Sequence, residues 1–223
     1  MWKQLEIYAD KHYSIFQDVE PLYPSDSNQM YFYKEALLAK NDYRSLKSCL
    51  ESVKHLGEEE SLKDANAIKI KINQLCVTLY QTIAVSKGLL NESNFLYALA
   101  FSPLSQYDDT GKIKIDQDYI NMTTNFIKTL PQLYNKVDYT SKKFDTITTT
   151  HMQDLIDIDL NNENKTDKIY GIIIETFGSE EFKDYVESTM AYLEAKYLMC
   201  CMVLRLTASN SYKNITPNIS NNK

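Results

Sequence analysis

Residues able to do chemistry are present in this chain, but not at the spacings chemistry requires. His12, His55 and His151 each stand alone, with no H-x-x-x-H or H-E-x-x-H pair to grip a metal. The run Asp157-Ile158-Asp159-Leu160-Asn161 puts oxygens at positions 1, 3 and 5 of a calcium loop. Asn162 then stands where the sharp turn takes glycine, and Lys168 where a bidentate Glu belongs. A cation there would meet a positive charge. The five glycines, Gly57, Gly88, Gly111, Gly171 and Gly178, are too far apart for G-x-G-x-x-G or a P-loop. No metal and no cofactor is therefore expected, and no paired acid with a nearby base suggests an enzyme.

The balance of 24 Lys+Arg against 30 Asp+Glu leaves a net charge of -6 in 223 residues. An acidic chain lacks the basic footprint that nucleic acid or an anionic membrane needs, so neither is an expected partner. No apolar run approaches the ~18 residues of a membrane span. Met1-Trp2-Lys3-Gln4-Leu5-Glu6 has no apolar segment of a secretory signal. Cys49, Cys76, Cys200 and Cys201 form no C-x-x-C pair, and the vicinal pair lies in an apolar run, as buried free thiols do. The expected setting is cytoplasmic.

The elements that would position any site are helices. Trp2, Leu5, Ala9, His12, Phe16 and Val19 follow a three-four spacing that stops at Pro21 and Pro24. A second helix is expected over 29–40, and Asn41 or Asp42 would cap a third ending at Gly57. Glu58-Glu59-Glu60 precedes the next helix, where negative charge offsets the helix dipole. Ser61 and Asp64 start that helix, which runs to about Leu89. A short helix over 92–101 leads to a loop over 103–114.

Helix resumes near Asp116, is broken or kinked at Pro131, and continues to about Leu160. After a polar loop, 168–177 is helical, Gly178 ends it, and Ser179 caps a last helix to about Ala208. The result is an all-α, antiparallel bundle of about seven to nine helices. Residues 1–208 form a single helical domain, and 209–223, nearly devoid of apolar side chains, form a disordered polar tail.

Two segments resemble the 14-3-3 family of phosphoserine/phosphothreonine-binding adaptors. One is Ala36-Leu37-Leu38-Ala39, with Tyr43, then Cys49 and Val53 before Gly57. The other runs Glu187-Ser188-Thr189-Met190-Ala191-Tyr192-Leu193-Glu194-Ala195-Lys196 and closes at Leu204-Arg205-Leu206-Thr207-Ala208. The resemblance implies an adaptor that binds phosphorylated peptides in a helical groove and dimerises through its N-terminal helices, with Tyr43 and Leu46 at the interface. The family's phosphate-holding positions fall on Asn73, Tyr80, Cys201 and Met202. Lys69 and Lys71, within a turn of the first, and Arg205, one turn past the third, are then the expected phosphate ligands. The alternative is a helical scaffold or subunit that binds a partner without recognising phosphate.

Overall fold

In the computed structural model, which describes residues 2–57, 65–89, 93–100, 117–159 and 161–215, the helical periodicity resolves into seven helices. They are α1 (Trp2–Asp18), α2 (Ser27–Gly57), α3 (Ala65–Leu89), α4 (Ser93–Ala100), α5 (Gln117–Ile156), α6 (Lys165–Phe177) and α7 (Glu180–Ile215). Among the described residues there is no strand. The expected loop over 103–114 lies outside the described residues.

Local chemistry fixes the ends. The Gln29 N–H donates to Asp26 Oδ1 at 2.8 Å, while Gln29 Oε1 accepts from the Ser25 N–H at 2.7 Å. This is a reciprocal cap, and it starts α2 two residues earlier than the apolar pattern indicates. The Phe182 N–H donates to Ser179 Oγ at 3.1 Å, the expected cap of α7. Gly178 closes α6, donating to Ile174 O at 2.8 Å.

Two expectations are corrected, and at Pro131 the break is excluded. The break at Asn41 and Asp42 does not occur, because Ala36, Ala39, Tyr43, Leu46, Leu50 and Val53 form one buried stripe along α2. An internal Asn or Asp is only mildly unfavourable in a helix, and a continuous apolar stripe outweighs it. α5 likewise passes through Pro131 without ending; the ring is exposed, and buried Leu130 and Val137 keep the stripe in register. α7 continues through Ile215, past the boundary at 208 drawn from composition.

Helix pairing is antiparallel, as expected. Lys54 meets Glu6, Lys47 meets Asp10 and Arg44 meets Tyr13, so α2 runs back along α1. Tyr134 meets Tyr192, Thr140 meets Ser188, and Phe144 meets Phe182, so α7 runs back along α5. α7 is the centre of the molecule, packing chiefly on α2 and α5, and from Met199 to Leu204 every side chain is buried. Each large apolar side chain buried there contributes on the order of 1.5–3 kcal/mol. Lys196 is 2% exposed within this core. Its Nζ lies 2.7 Å from Glu35 Oε2 and 4.7 Å from the Phe95 ring centre, so its charge is compensated inside the protein.

Candidate functional site

The expected phosphate ligands do not form one cluster. Lys71, on α3, is 8% exposed, with Nζ 3.5 Å from the Tyr170 hydroxyl and 5.0 Å from the centre of that ring on α6. Arg205, on α7, is exposed and lies near Cys201, whose thiol also feels Lys40 of α2. The side chain of Lys69 lies outside the described residues. α2 provides a ruler between the other two. α3 runs antiparallel to it, with Gln81 beside Cys49 and Asn73 lining the same groove as Ser52, so Lys71, ten residues before Gln81, lies beyond Ser52 toward the C-terminal end of α2. α7 passes from Tyr185, bonded to Thr82 of α3, to Lys196, paired with Glu35 of α2, so Arg205, further along α7, lies beyond the level of Lys40. The stretch of α2 from Lys40 to Ser52 alone is roughly 18 Å at ~1.5 Å per residue. One phosphate cannot bridge that distance.

The aligned positions separate as well. Cys201 and Met202 are buried in the core, the side chain of Tyr80 lies outside the described residues, and Asn73 is exposed. Tyr43 and Leu46, expected at a dimer interface, are both fully buried within the chain's own core. The Tyr43 hydroxyl donates to Ala9 O at 3.0 Å and its ring lies 4.6 Å from that of Phe16, so it ties α1 to α2. Neither residue has surface to offer a second copy.

Asn73 instead belongs to an open groove between α2 and α3. This cavity of about 500 Å³ is lined by Ser48 and Ser52 of α2 and by Asn73, Gln74, Val77, Thr78 and Gln81 of α3. That volume falls inside the usual range of ligand clefts, about 300–1,000 Å³. The lining follows from helical spacing, since residues four apart share a face. Ser48 and Ser52 form one row; Asn73, Val77 and Gln81 form the other, flanked by Gln74 and Thr78.

Every polar group in the described lining is an uncharged hydroxyl or carboxamide. The Ser52 hydroxyl donates to Ser48 O at 3.0 Å and the Thr78 hydroxyl to Gln74 O at 2.9 Å, leaving both oxygens as acceptors. Among the described residues the side-chain amides of Asn73 and Gln74 bond to no other residue, and Gln81 Oε1 meets the Cys49 thiol at 4.0 Å. Val77, 54% exposed, is the apolar point in the groove, and Ile70, 57% exposed, lies two turns away on the same helix. Such a lining can exchange several hydrogen bonds with a neutral ligand and bury a small apolar group, and its described side chains carry nothing to neutralise a charge.

Other polar clusters serve the fold. The Thr176 hydroxyl donates to Ile172 O at 2.7 Å, so its oxygen accepts from His151 Nδ1 at 2.6 Å, with Glu175 3.8 Å from the other ring nitrogen. This carboxylate–imidazole–hydroxyl order stitches α5 to α6, and Thr176 is fully buried. His12 Nδ1 lies 2.8 Å from Glu194 Oε2, joining α1 to α7. Asp159 Oδ1 accepts from the Asn161 N–H and Asn162 Oδ1 from the Asn164 N–H, two local turns that lead into α6. Among the described residues, no three His, Cys, Asp or Glu side chains are grouped to hold a metal. Burial pushes the Cys201 thiol up to about 11, against the opposing influence of Arg205, the Tyr197 hydroxyl and Lys40. No helix among the described residues is long and apolar enough to cross a membrane.

One signal for the groove was available in the sequence. From Ile72 to Ser86 the chain has no charged residue, while Asn, Gln and Thr recur at helical spacing. A helix whose polar face lacks charge is unusual for a solvated surface. No family model matches the chain, and no curated protein or solved structure matches it either.

Proposed function

We propose that this chain is a helical adaptor or scaffold protein that holds a segment of another protein in the α2–α3 groove, without catalysis and without recognising phosphate. The observation that carries this reading is the groove's lining, which is open, sized for a ligand and, among the described residues, uncharged. A phosphate brings close to two negative charges, and desolvating it without Lys or Arg is strongly unfavourable. The phosphopeptide function implied by the 14-3-3 resemblance would need Lys69, Lys71 and Arg205 in one pocket. Lys71 is instead engaged with Tyr170, and Arg205 lies toward the opposite part of α2. The hydroxyl that lies beside the His151 imidazole, that of Thr176, is buried and bonded to Ile172 O, which supports a non-catalytic role for that cluster.

The test uses immobilised pools of random peptides, each in a phosphorylated and an unphosphorylated form. The proposal expects binding without preference for phosphate, reduced at least tenfold by Val77→Asp at the centre of the groove. A phosphate preference that is lost in the Lys69→Glu, Arg205→Glu double variant would restore the phosphopeptide reading and overturn this one.

A further inference from the structure

We infer that the groove's occupant is an extended, uncharged stretch of a partner protein, held chiefly through its main chain. The inference rests on the groove being a binding site, as proposed above, and adds what is recognised there. Its first support is repeat length. Residues four apart on a helix recur every ~6 Å, and alternate residues of an extended chain recur every ~6.6–6.8 Å. The rows Ser48–Ser52 and Asn73–Val77–Gln81 therefore stay nearly in step with an extended strand over about two such repeats, a length of some four residues.

The second support is bonding capacity. A carboxamide offers both a donor and an acceptor, the same pair that a peptide unit offers along its edge. Asn73 and Gln81 stand one above and one below Val77, with Gln74 beside them. Their amides can accept from main-chain N–H groups and donate to main-chain carbonyls, while the Ser52 and Thr78 oxygens accept one further bond each. Val77 meets the occupant midway and favours a small apolar side chain there. The described lining, which carries no charge, disfavours Asp, Glu, Lys or Arg at the inward positions, because each would be desolvated there without a partner. A helical occupant fits poorly, since its main-chain groups are already paired to each other and would leave the carboxamides unanswered.

The experiment selects twelve-residue peptides from an unbiased display library on the full chain, with Val77→Asp as the counter-selection. The best binder is resynthesised with N-methyl groups on alternate inward-facing amides, which removes main-chain donors and keeps the side chains. Affinity is also measured on Asn73→Leu with Gln81→Leu, a variant whose urea midpoint confirms that it folds. The inference expects neutral sequences with a small apolar residue at the centre. It expects at least a tenfold loss on N-methylation and a similar loss on the double variant. Groove-dependent binding that survives N-methylation overturns the main-chain inference and leaves the groove reading standing. Failure to enrich any sequence over the Val77→Asp control overturns both.

Discussion

α7 and α3 are both rich in apolar side chains, yet the fold treats them differently. α7 is enclosed by α1, α2, α5 and α6, so the run from Met199 to Leu204 is wholly buried and even Lys196 is 2% exposed. α3 packs on α2 and α5 but leaves Ile70 and Val77 more than half exposed, beside a row of neutral amides. Apolar surface on α7 is consumed by folding; on α3 part of it is left over. The two helices should accordingly answer substitution in opposite ways, α7 through stability and α3 through binding.

The largest effect is expected at the buried charge. Glu35→Ala leaves Lys196 without its carboxylate in the core and should destabilise by about 3–5 kcal/mol in urea unfolding. Glu35→Leu with Lys196→Met should recover most of that loss, because the pair's attraction is offset by its desolvation. A double variant as unstable as Glu35→Ala would mean that the ion pair itself stabilises the α2–α7 contact.

Alkaline pH probes the same core. The Cys201 thiol is raised by burial to about 11, above its ordinary value near 9. A neutral acid with a raised folded value loses stability as pH climbs, because the unfolded chain releases its proton first. Its contribution is complete below pH ~9 and is lost as pH passes through 11, about 2–3 kcal/mol in all. Tyr8, Tyr43 and Tyr197, all raised chiefly by burial, act in the same direction at higher pH. Unfolding free energy measured from pH 8 to 11 should fall, and Cys201→Ala should flatten the part between pH 9 and 10. An unchanged slope would remove Cys201 from the account.

A smaller effect is expected where the two helices are tied together. The Tyr185 hydroxyl of α7 donates to Thr82 O of α3 at 2.8 Å, and Tyr185 is fully buried. Tyr185→Phe should destabilise by about 1 kcal/mol. The smallest change in stability belongs to Val77→Asp, within about 0.5 kcal/mol of the parent by urea midpoint. A loss there as large as that at Glu35 would show that Val77 serves the fold and would erase the contrast between α3 and α7.

How much of this was legible beforehand depended on how local the determining physics is. Gly178 and Ser179 declared the α6–α7 junction, because a helix stop and a cap are properties of a few adjacent residues. The start of α2 was missed by two residues because Asp26 and Gln29 lack the apolar signal that periodicity reads, although Asp26 caps the helix and Gln29 accepts from the Ser25 N–H before it. Asn41 misled for the opposite reason: it is a local helix weakener that a long buried stripe overrides. Tyr43 and Leu46 were read correctly as apolar-face residues, but which neighbour covers that face is a tertiary fact. The same limit applies to the site. Lys71 and Arg205 each lie on a helix where expected, yet only the packing of α3 and α7 against α2 shows them to be far apart. Asn73 was singled out as a departure from a phosphate pocket; beside Ser48 and Ser52 it becomes part of a neutral one.

The central claim is that α3's leftover surface is a binding groove. It is tested most directly by mapping backbone amide NMR shifts while a selected, unphosphorylated neutral peptide is titrated into the full chain. The account predicts that the largest changes fall at Ser48, Ser52, Asn73, Gln74, Val77, Thr78 and Gln81. Changes centred instead on Arg205 and Lys40, with the groove silent, would contradict it.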